Sequence, residues 1–347
     1  MRAARVVRSL VGLGGFAMLA GLVAVWGLGG IDGMQRLAIE RVLRDQRTDL
    51  FEDGRLHVFT LGTGSPQLGG RRMPVANAVI AGEEFLLIDT GEGASRTMGE
   101  LRLPVQRITA AFITHWHSDH FAGLGQVLNQ SWNAGRDHDV LVHGPPGVEG
   151  VMAGLRQLYH DDVRYRSAGV VESNDPGRAL GTPVTIAIPD DEPGMVVFDR
   201  NGVVVRAFRV DHGHVRPAYG YRVEYGGKSV VVSGDTVASP LVAAAARGCD
   251  LLIHEAINVR LMRNAVAVLR ELGNEGDARR AEGVIGYHAD TLGVARIAAQ
   301  AGVGKLVLSH VIPDSPTRLL DWLFVSGMRR HYAGPIVLAT DGQHFAL

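Results

Sequence analysis

The sequence predicts an α/β fold preceded by a membrane-spanning helix, and three observations predict it. From Arg55 onwards, short apolar and partly β-branched runs alternate with helical stretches, with no internal repeat or low-complexity segment. Histidine and aspartate recur where those apolar runs end. Near the N-terminus, residues 9–30 carry no charge and follow Arg2, Arg5 and Arg8, a stretch long enough to cross a bilayer core of roughly 30 Å as a helix.

The leading arginines predict that the short N-terminal end stays in the cytoplasm and that the rest is exported. A cleaved signal peptide is the competing reading and would make the protein secreted. No clean small-x-small site precedes Ile31, so residues 1–30 are read as an uncleaved anchor. In the next segment, 31–54, Met34, Leu37, Ala38, Val42 and Leu43 fall on one stripe, predicting an amphipathic spacer helix. The globular domain is placed at 55–347.

Within that domain, 56–61 reads as a strand and Gly62-Thr63-Gly64-Ser65-Pro66 as a tight turn; no Lys-Ser/Thr follows, which argues against a phosphate loop. Residues 75–80 and 85–88 read as a hairpin ending at Asp89, either a helix N-cap or a carboxylate that orients a ligating histidine. The apolar run 108–113 then leads into Thr114-His115-Trp116-His117-Ser118-Asp119-His120. In an extended segment residues two apart share a side, so His115 and His117 can converge on one ion, and Asp119 and His120 can face a second where the chain turns. Imidazole and carboxylate form a borderline ligand set that suits zinc, with iron or manganese also accepted.

A strand at 140–143 ends in His143, read as structural. The charged segment 160–200, with turns at Asn174-Asp175-Pro176-Gly177 and Pro189-Asp190-Asp191-Glu192-Pro193-Gly194, is expected to be irregular and to shape the substrate pocket. The strand 203–210 ends in Asp211-His212-Gly213-His214, and 219–225 with 228–232 form a hairpin about Gly226-Gly227, leading into Ser233-Gly234-Asp235-Thr236. A helix at 241–247, a strand at 251–253 leading to His254-Glu255, and helices at 258–272 and 292–301 follow. His288 lies between those two helices, the strand 305–309 ends at His310, and 336–339 is the closing strand.

Bulk properties narrow the partners. An apolar content of 46% and a charged content of 20% describe a globular chain. A net charge of −1 offers no global attraction to nucleic acid, and nucleic acid is not expected as a partner. The single cysteine, Cys249, excludes an intrachain disulfide.

His115, His117, Asp119, His120, a histidine from the 212/214 pair, Asp235 and His310 share one description, a ligand type at a strand end. The His115-x-His117-x-Asp119-His120 pattern resembles the signature of the metallo-β-lactamase superfamily, a resemblance that covers 55–347. A finer likeness is carried by Leu61-Gly62-Thr63-Gly64, Asp89-Thr90-Gly91-Glu92-Gly93, His143-Gly144-Pro145-Pro146-Gly147, Gly220-Tyr221-Arg222, Ser233-Gly234-Asp235-Thr236, His254-Glu255-Ala256 and Leu308-Ser309-His310-Val311. That finer likeness is to the ribonuclease Z and arylsulfatase-like branch. The resemblance implies an αββα four-layer sandwich with two divalent ions at one rim, most simply zinc. His115, His117 and a 212/214 histidine would hold one ion, Asp119, His120 and His310 the other, with Asp235 between them. The choice between His212 and His214 stays open, with His212 preferred from its Val210-Asp211-His212-Gly213 context. Asp119 can take a proton from the nucleophile as well as bind metal, and the resemblance implies that His288, oriented by Glu255, protonates the leaving group or holds a substrate oxyanion.

The reading favoured is a metal-dependent hydrolase of a small phosphodiester, sulfate ester or related ester. Its expected partners are that small molecule and the membrane, with a homodimer as an allowed assembly. The alternatives are a ribonuclease Z-type tRNA 3′ processing endonuclease and a non-catalytic metal-binding or ligand-binding member of the fold. Against the nuclease stands the short connection from Tyr221 to Ser233, which leaves no room for the long arm that the resemblance would place there.

Overall fold

The structure is a computed structural model that describes residues 26–27, 29–44, 46–67, 69–169, 175–314 and 317–347. The chain divides into two units, one ending at Arg47 and one spanning Thr48–Leu347. The first contains helix α1, Gly30–Arg44.

The expected membrane-spanning helix is not supported. Among the described residues no helix is long and apolar enough to cross a membrane. Helix α1 begins where the charge-free run ends and carries Asp32, Arg36, Glu40, Arg41 and Arg44, whose burial in hydrocarbon would be costly. Residues 1–25, on which most of the expectation falls, lie outside the described residues. The expected membrane partner and the membrane-anchored, exported placement lose their basis with it.

The second unit holds two seven-stranded mixed sheets. The first contains β1 (Leu56–Gly62), β2 (Ala76–Ala81), β3 (Glu84–Thr90), β4 (Ala110–Phe112), β5 (Leu141–Gly144) and β6 (Thr182–Thr185), with a later strand pairing onto β1. The second sheet is built of β7 (Gly194–Arg200), β8 (Val203–Arg209), β9 (Tyr219–Tyr225), β10 (Lys228–Val232), β11 (Leu251–Ile257), β12 (Lys305–Ile312) and β13 (Ile336–Leu338). The last strand, β14 (Gln343–Ala346), returns to the first sheet beside β1. Helices α2 (Ala94–Glu100), α3 (Ser118–Phe121), α4 (Leu124–Asn133), α5 (Val148–Leu158) and α6 (His160–Gly169) follow strands of the first sheet. Helices α7 (Pro240–Ala245), α8 (Val259–Glu271), α9 (Glu275–Val284), α10 (Thr291–Ala301) and α11 (Arg318–Phe324) belong to the second half.

Alternation along the strands separates the cores. Val230, Val232, Leu251 and Ile253 pack with Leu56, Val58, Leu86 and Ile88 between the two sheets. Val231 and Leu252, one residue out of phase, pack on Val242, Val294 and Ala298 of α7 and α10. Phe59, Leu61, Phe85 and Leu87 do the same for Met98, Leu124, Leu128 and Met152 of α2, α4 and α5. Both sheets therefore bury two faces, giving four layers, αββα.

The segment 160–200 is more regular than expected: it forms α6, a short 3₁₀ turn at Pro176–Arg178, and the two strands β6 and β7 that end the two sheets. Edge strands read as irregular because their polar and charged residues, such as Asp199 and Arg200, face outwards.

Candidate metal centre

The metal-competent residues come together because the strands that carry them end side by side. β4 delivers Thr114 to His120 through an extended turn into the single-turn helix α3, whose Asp119 and His120 are buried. β10 runs into Gly234 and Asp235. Gly234 has φ 63°, and a Cβ there would meet Tyr219 O at 2.4 Å, so glycine is what lets this loop pass. β12 carries His310 at φ 44°, at a bulge where Ser309 pairs with Glu255 and Val311 with Ala256, so His310 has no partner across the ladder. A bulge of this kind re-aims one side chain, and the strained φ is kept by the sheet around it.

Asp235 Oδ2 is the centre of the arrangement. It lies 3.3 Å from both His120 Nε2 and His310 Nε2, 3.7 Å from His212 Nε2 and 3.9 Å from His115 Nε2. On one side His117 Nδ1 lies 2.9 Å from His115 Nε2 and 3.3 Å from His212 Nε2. On the other, Asp119 Oδ2 lies 3.1 Å from His310 Nε2 and 3.5 Å from His120 Nε2. His212 therefore joins the first group, whereas His214 is exposed, its ring 5.6 Å from that of Tyr287.

Divalent ions fit these donors. Zinc–nitrogen bonds of about 2.0–2.1 Å in a tetrahedron imply donor separations of about 3.3–3.4 Å, close to those found. The donor atoms of His115, His117, His212 and Asp235 lie within 4.8 Å of one another, as do those of Asp119, His120 and His310. His120 Nε2 is buried without a hydrogen-bond partner among the described residues, as a nitrogen aimed at a cation would be.

Hydrogen bonds fix most of the rings. Asp89 Oδ2 lies 2.8 Å from His120 Nδ1 and accepts from Thr114 Oγ1 at 2.9 Å, while Asp89 Oδ1 accepts from Thr114 N at 2.8 Å. Helix α2 begins instead at Gly93 without a side-chain cap, so Asp89 serves as a strut for His120. His115 Nδ1 meets Thr114 Oγ1 at 3.0 Å, and His212 Nδ1 meets Tyr287 O at 3.1 Å. Neither ring nitrogen of His143 has a partner among the described residues; the ring stacks on Phe112 at 4.7 Å, and burial pulls its pKa down to about 4.

The electrostatics divide the cluster. Burial and the neighbouring imidazoles hold His115 far below the ordinary imidazole range, and burial also lowers His117 and His212. These three are neutral, the form that offers a lone pair. Burial opposes charge on His120 and Asp235, yet His120 is raised well above its ordinary value by Asp235 and Asp89, while Asp235 is held well below its own by His310 and His120.

Beside the cluster, His288 lies buried, its ring stacked on His310 at 5.3 Å. Its Nδ1 is 2.9 Å from Glu255 Oε1, which also accepts from Thr236 N at 2.9 Å and Ala289 N at 3.3 Å. Burial disfavours the imidazolium, but the Glu255 carboxylate outweighs it and His288 is pushed up to about 9.

A cavity of about 690 Å³ opens onto His117, Asp119, Asp235, His288 and His310. Its far wall comes from α8 and α9, with Met262, Ala265, Leu269 and Val284, and none of the described residues of 160–200 lines it. The expectation that 160–200 shapes this pocket is corrected: its described residues form α6, a 3₁₀ turn and the two edge strands. The missed lining had a signal in the spacing of Met262, Ala265 and Leu269, one helical face, and in Asn274, which caps an unforeseen helix.

The sequence matches the model of the Metallo-beta-lactamase superfamily over residues 69–310. The chain belongs to the metallo-beta-lactamase superfamily. It is a metal-dependent hydrolase acting on ester bonds. It is similar to the Ribonuclease Z of Mycobacterium marinum, 33% identical over 74% of this chain and 87% of that protein. It is also similar to the Ribonuclease Z of Mycolicibacterium paratuberculosis, 33% identical over 82% of this chain and 96% of the relative. Among solved structures it resembles human tRNase Z, short form, with a TM-score of 0.59 and 24% identity over 83% of this chain and 98% of that one. These relatives overturn the expectation of a small-molecule ester partner with nucleic acid left out, because their names are those of ribonucleases. Net charge describes attraction to the whole surface and does not decide what one cavity recognises.

Proposed function

We propose that this chain is a zinc-dependent ribonuclease Z-type phosphodiesterase that cuts an RNA strand, with the 3′ end of a transfer RNA precursor as its substrate. The observation that carries the reading is the pair of donor groups adjoining Asp235 Oδ2, which lies 3.3 Å from both His120 and His310, in a chain one-third identical to Ribonuclease Z proteins over most of both lengths. In it His115, His117, His212 and Asp235 hold one ion and Asp119, His120, His310 and Asp235 the other. Divalent ions there supply a hydroxide nucleophile near neutral pH and offset charge on a phosphoryl oxygen.

The protein's own groups do the rest. Asp119, buried and bonded to His310, is placed to accept a proton from the nucleophile. His288, held protonated by Glu255, is placed to give a proton to the leaving oxygen. The turn between β9 and β10 is closed by Gly226 and Gly227, so no long arm projects there and the grip on RNA falls to the cavity and its rim. Dependence on the body of the transfer RNA is accordingly weak in this reading.

The test uses the full chain loaded with zinc or manganese, a precursor transfer RNA with a 3′ trailer, and a short single strand of the trailer-junction sequence. The expected result is endonucleolytic cutting of both, within about tenfold of each other in kcat/KM, abolished by a chelator. Intact precursor after incubation with metal-loaded protein at low salt would contradict the reading.

A further inference from the structure

We propose that the wall built by α8 and α9 is a subsite for one nucleobase beside the scissile phosphate. The position relative to the phosphate rests on the phosphodiesterase reading above; the affinity for a base does not.

The wall follows from the helical period. Met262, Ala265 and Leu269 stand at i, i+3 and i+7 of α8, so they share the face turned to the cavity. Ala281 and Val284 extend the same surface from α9, and Tyr287, its ring beside those of His212, His214 and His288, adds a half-buried aromatic group to the lining. Ala265 and Leu269 remain partly exposed, so a flat group covering them gains by removing apolar surface from water.

Charge excludes the commonest competitor, a phosphate track. Among the described lining residues Arg280 is the only arginine or lysine, and its guanidinium donates to Asp277 one turn earlier on α9. The charges of Arg280 and Asp277 offset each other, so phosphates laid along this wall would meet no net positive charge, whereas an uncharged ring needs none. Gln67 also lines the cavity with its Oε1 accepting from Asp314 N at 3.1 Å, which directs its amide nitrogen to other acceptors, such as a base edge. The same cavity is continuous with Asp119, Asp235 and His288, so a group seated on the wall is a near neighbour of the reacting ester.

The probes are adenosine 5′-monophosphate and ribose 5-phosphate, which differ only in the base, titrated calorimetrically into the full zinc-loaded chain. Adenosine 5′-monophosphate is expected to bind at least about tenfold more tightly. Leu269→Asn, which adds no charge, should bring the two affinities together, whereas Val268→Asn, on the exposed face, should keep the difference. Ala281→Gln serves the same purpose as Leu269→Asn should that variant fail to fold. Equal binding of the two probes, binding of neither, or a preference that survives both wall variants would overturn the subsite. A chain that prefers the base yet leaves precursor RNA intact would sink the nuclease reading alone; one that cuts RNA while binding both probes equally would sink the subsite alone.

Discussion

The two sides of the cavity are built by different means. The rim with Asp235 is made of strand ends, four of its polar side chains following β4 alone, and most of its rings are held by a hydrogen bond. The wall across from it is made of a helical hairpin, and its side chains act through a shared apolar face. The rim therefore carries chemistry, which tolerates little displacement, and the wall carries selection, which depends on surface and shape.

The sharpest way to break this contrast is to damage the rim and ask whether every substrate suffers. Asp119→Asn should lower kcat/KM by about 10³-fold for precursor RNA and for bis-nitrophenyl phosphate alike, measured by initial rates. A loss confined to RNA would move Asp119 from the chemistry to substrate recognition.

A histidine on the same sheet but outside the cluster provides the counter-case. His143 has a folded pKa of about 4 against an ordinary value of 6.5, so the unfolded chain binds its proton more readily. Stability from keeping it neutral is full above the unfolded value and is lost as pH falls from 6.5 towards 4, about 3 kcal/mol in all. His143→Phe should flatten denaturant midpoints across that window. An unchanged pH profile would mean that other groups govern the acid limb.

The smallest effect expected at the rim comes from a strut. Asp89→Ala removes the carboxylate behind His120 and should weaken zinc binding about 10–100-fold in competition with a chromogenic chelator. An unaltered affinity would show that His120 is oriented by the sheet alone.

Much of this molecule was legible in the sequence because strand ends write themselves as local patterns. Residues 219–225 and 228–232 form the hairpin foreseen, and the ligand-type residues gather in two adjoining groups, with His115, His120, His212 and His310 all near Asp235 Oδ2. His212 and His214 could not be separated by spacing, since the loop turns at Gly213, φ 62°, and sends them to different surroundings. The wall was missed for a different reason. Met262, Ala265 and Leu269 read as an ordinary amphipathic stripe, and a stripe does not say whether it faces a core or a cavity. The edge strand β6 was hidden by its exposed threonines, and in β7 the apolar run 195–198 was a signal obscured by the charged turn ahead of it. Charge misled on the partner, because a near-neutral chain can still be built to hold a nucleic-acid end in one pocket.

The central claim is that one oxygen of Asp235 joins two metal positions. Metal content per chain, measured by mass spectrometry on the zinc-loaded protein and on Asp235→Asn after matched dialysis, tests it most directly. The account predicts two equivalents falling to one or fewer in the variant, with cleavage lost in parallel. Two equivalents retained by Asp235→Asn would contradict it.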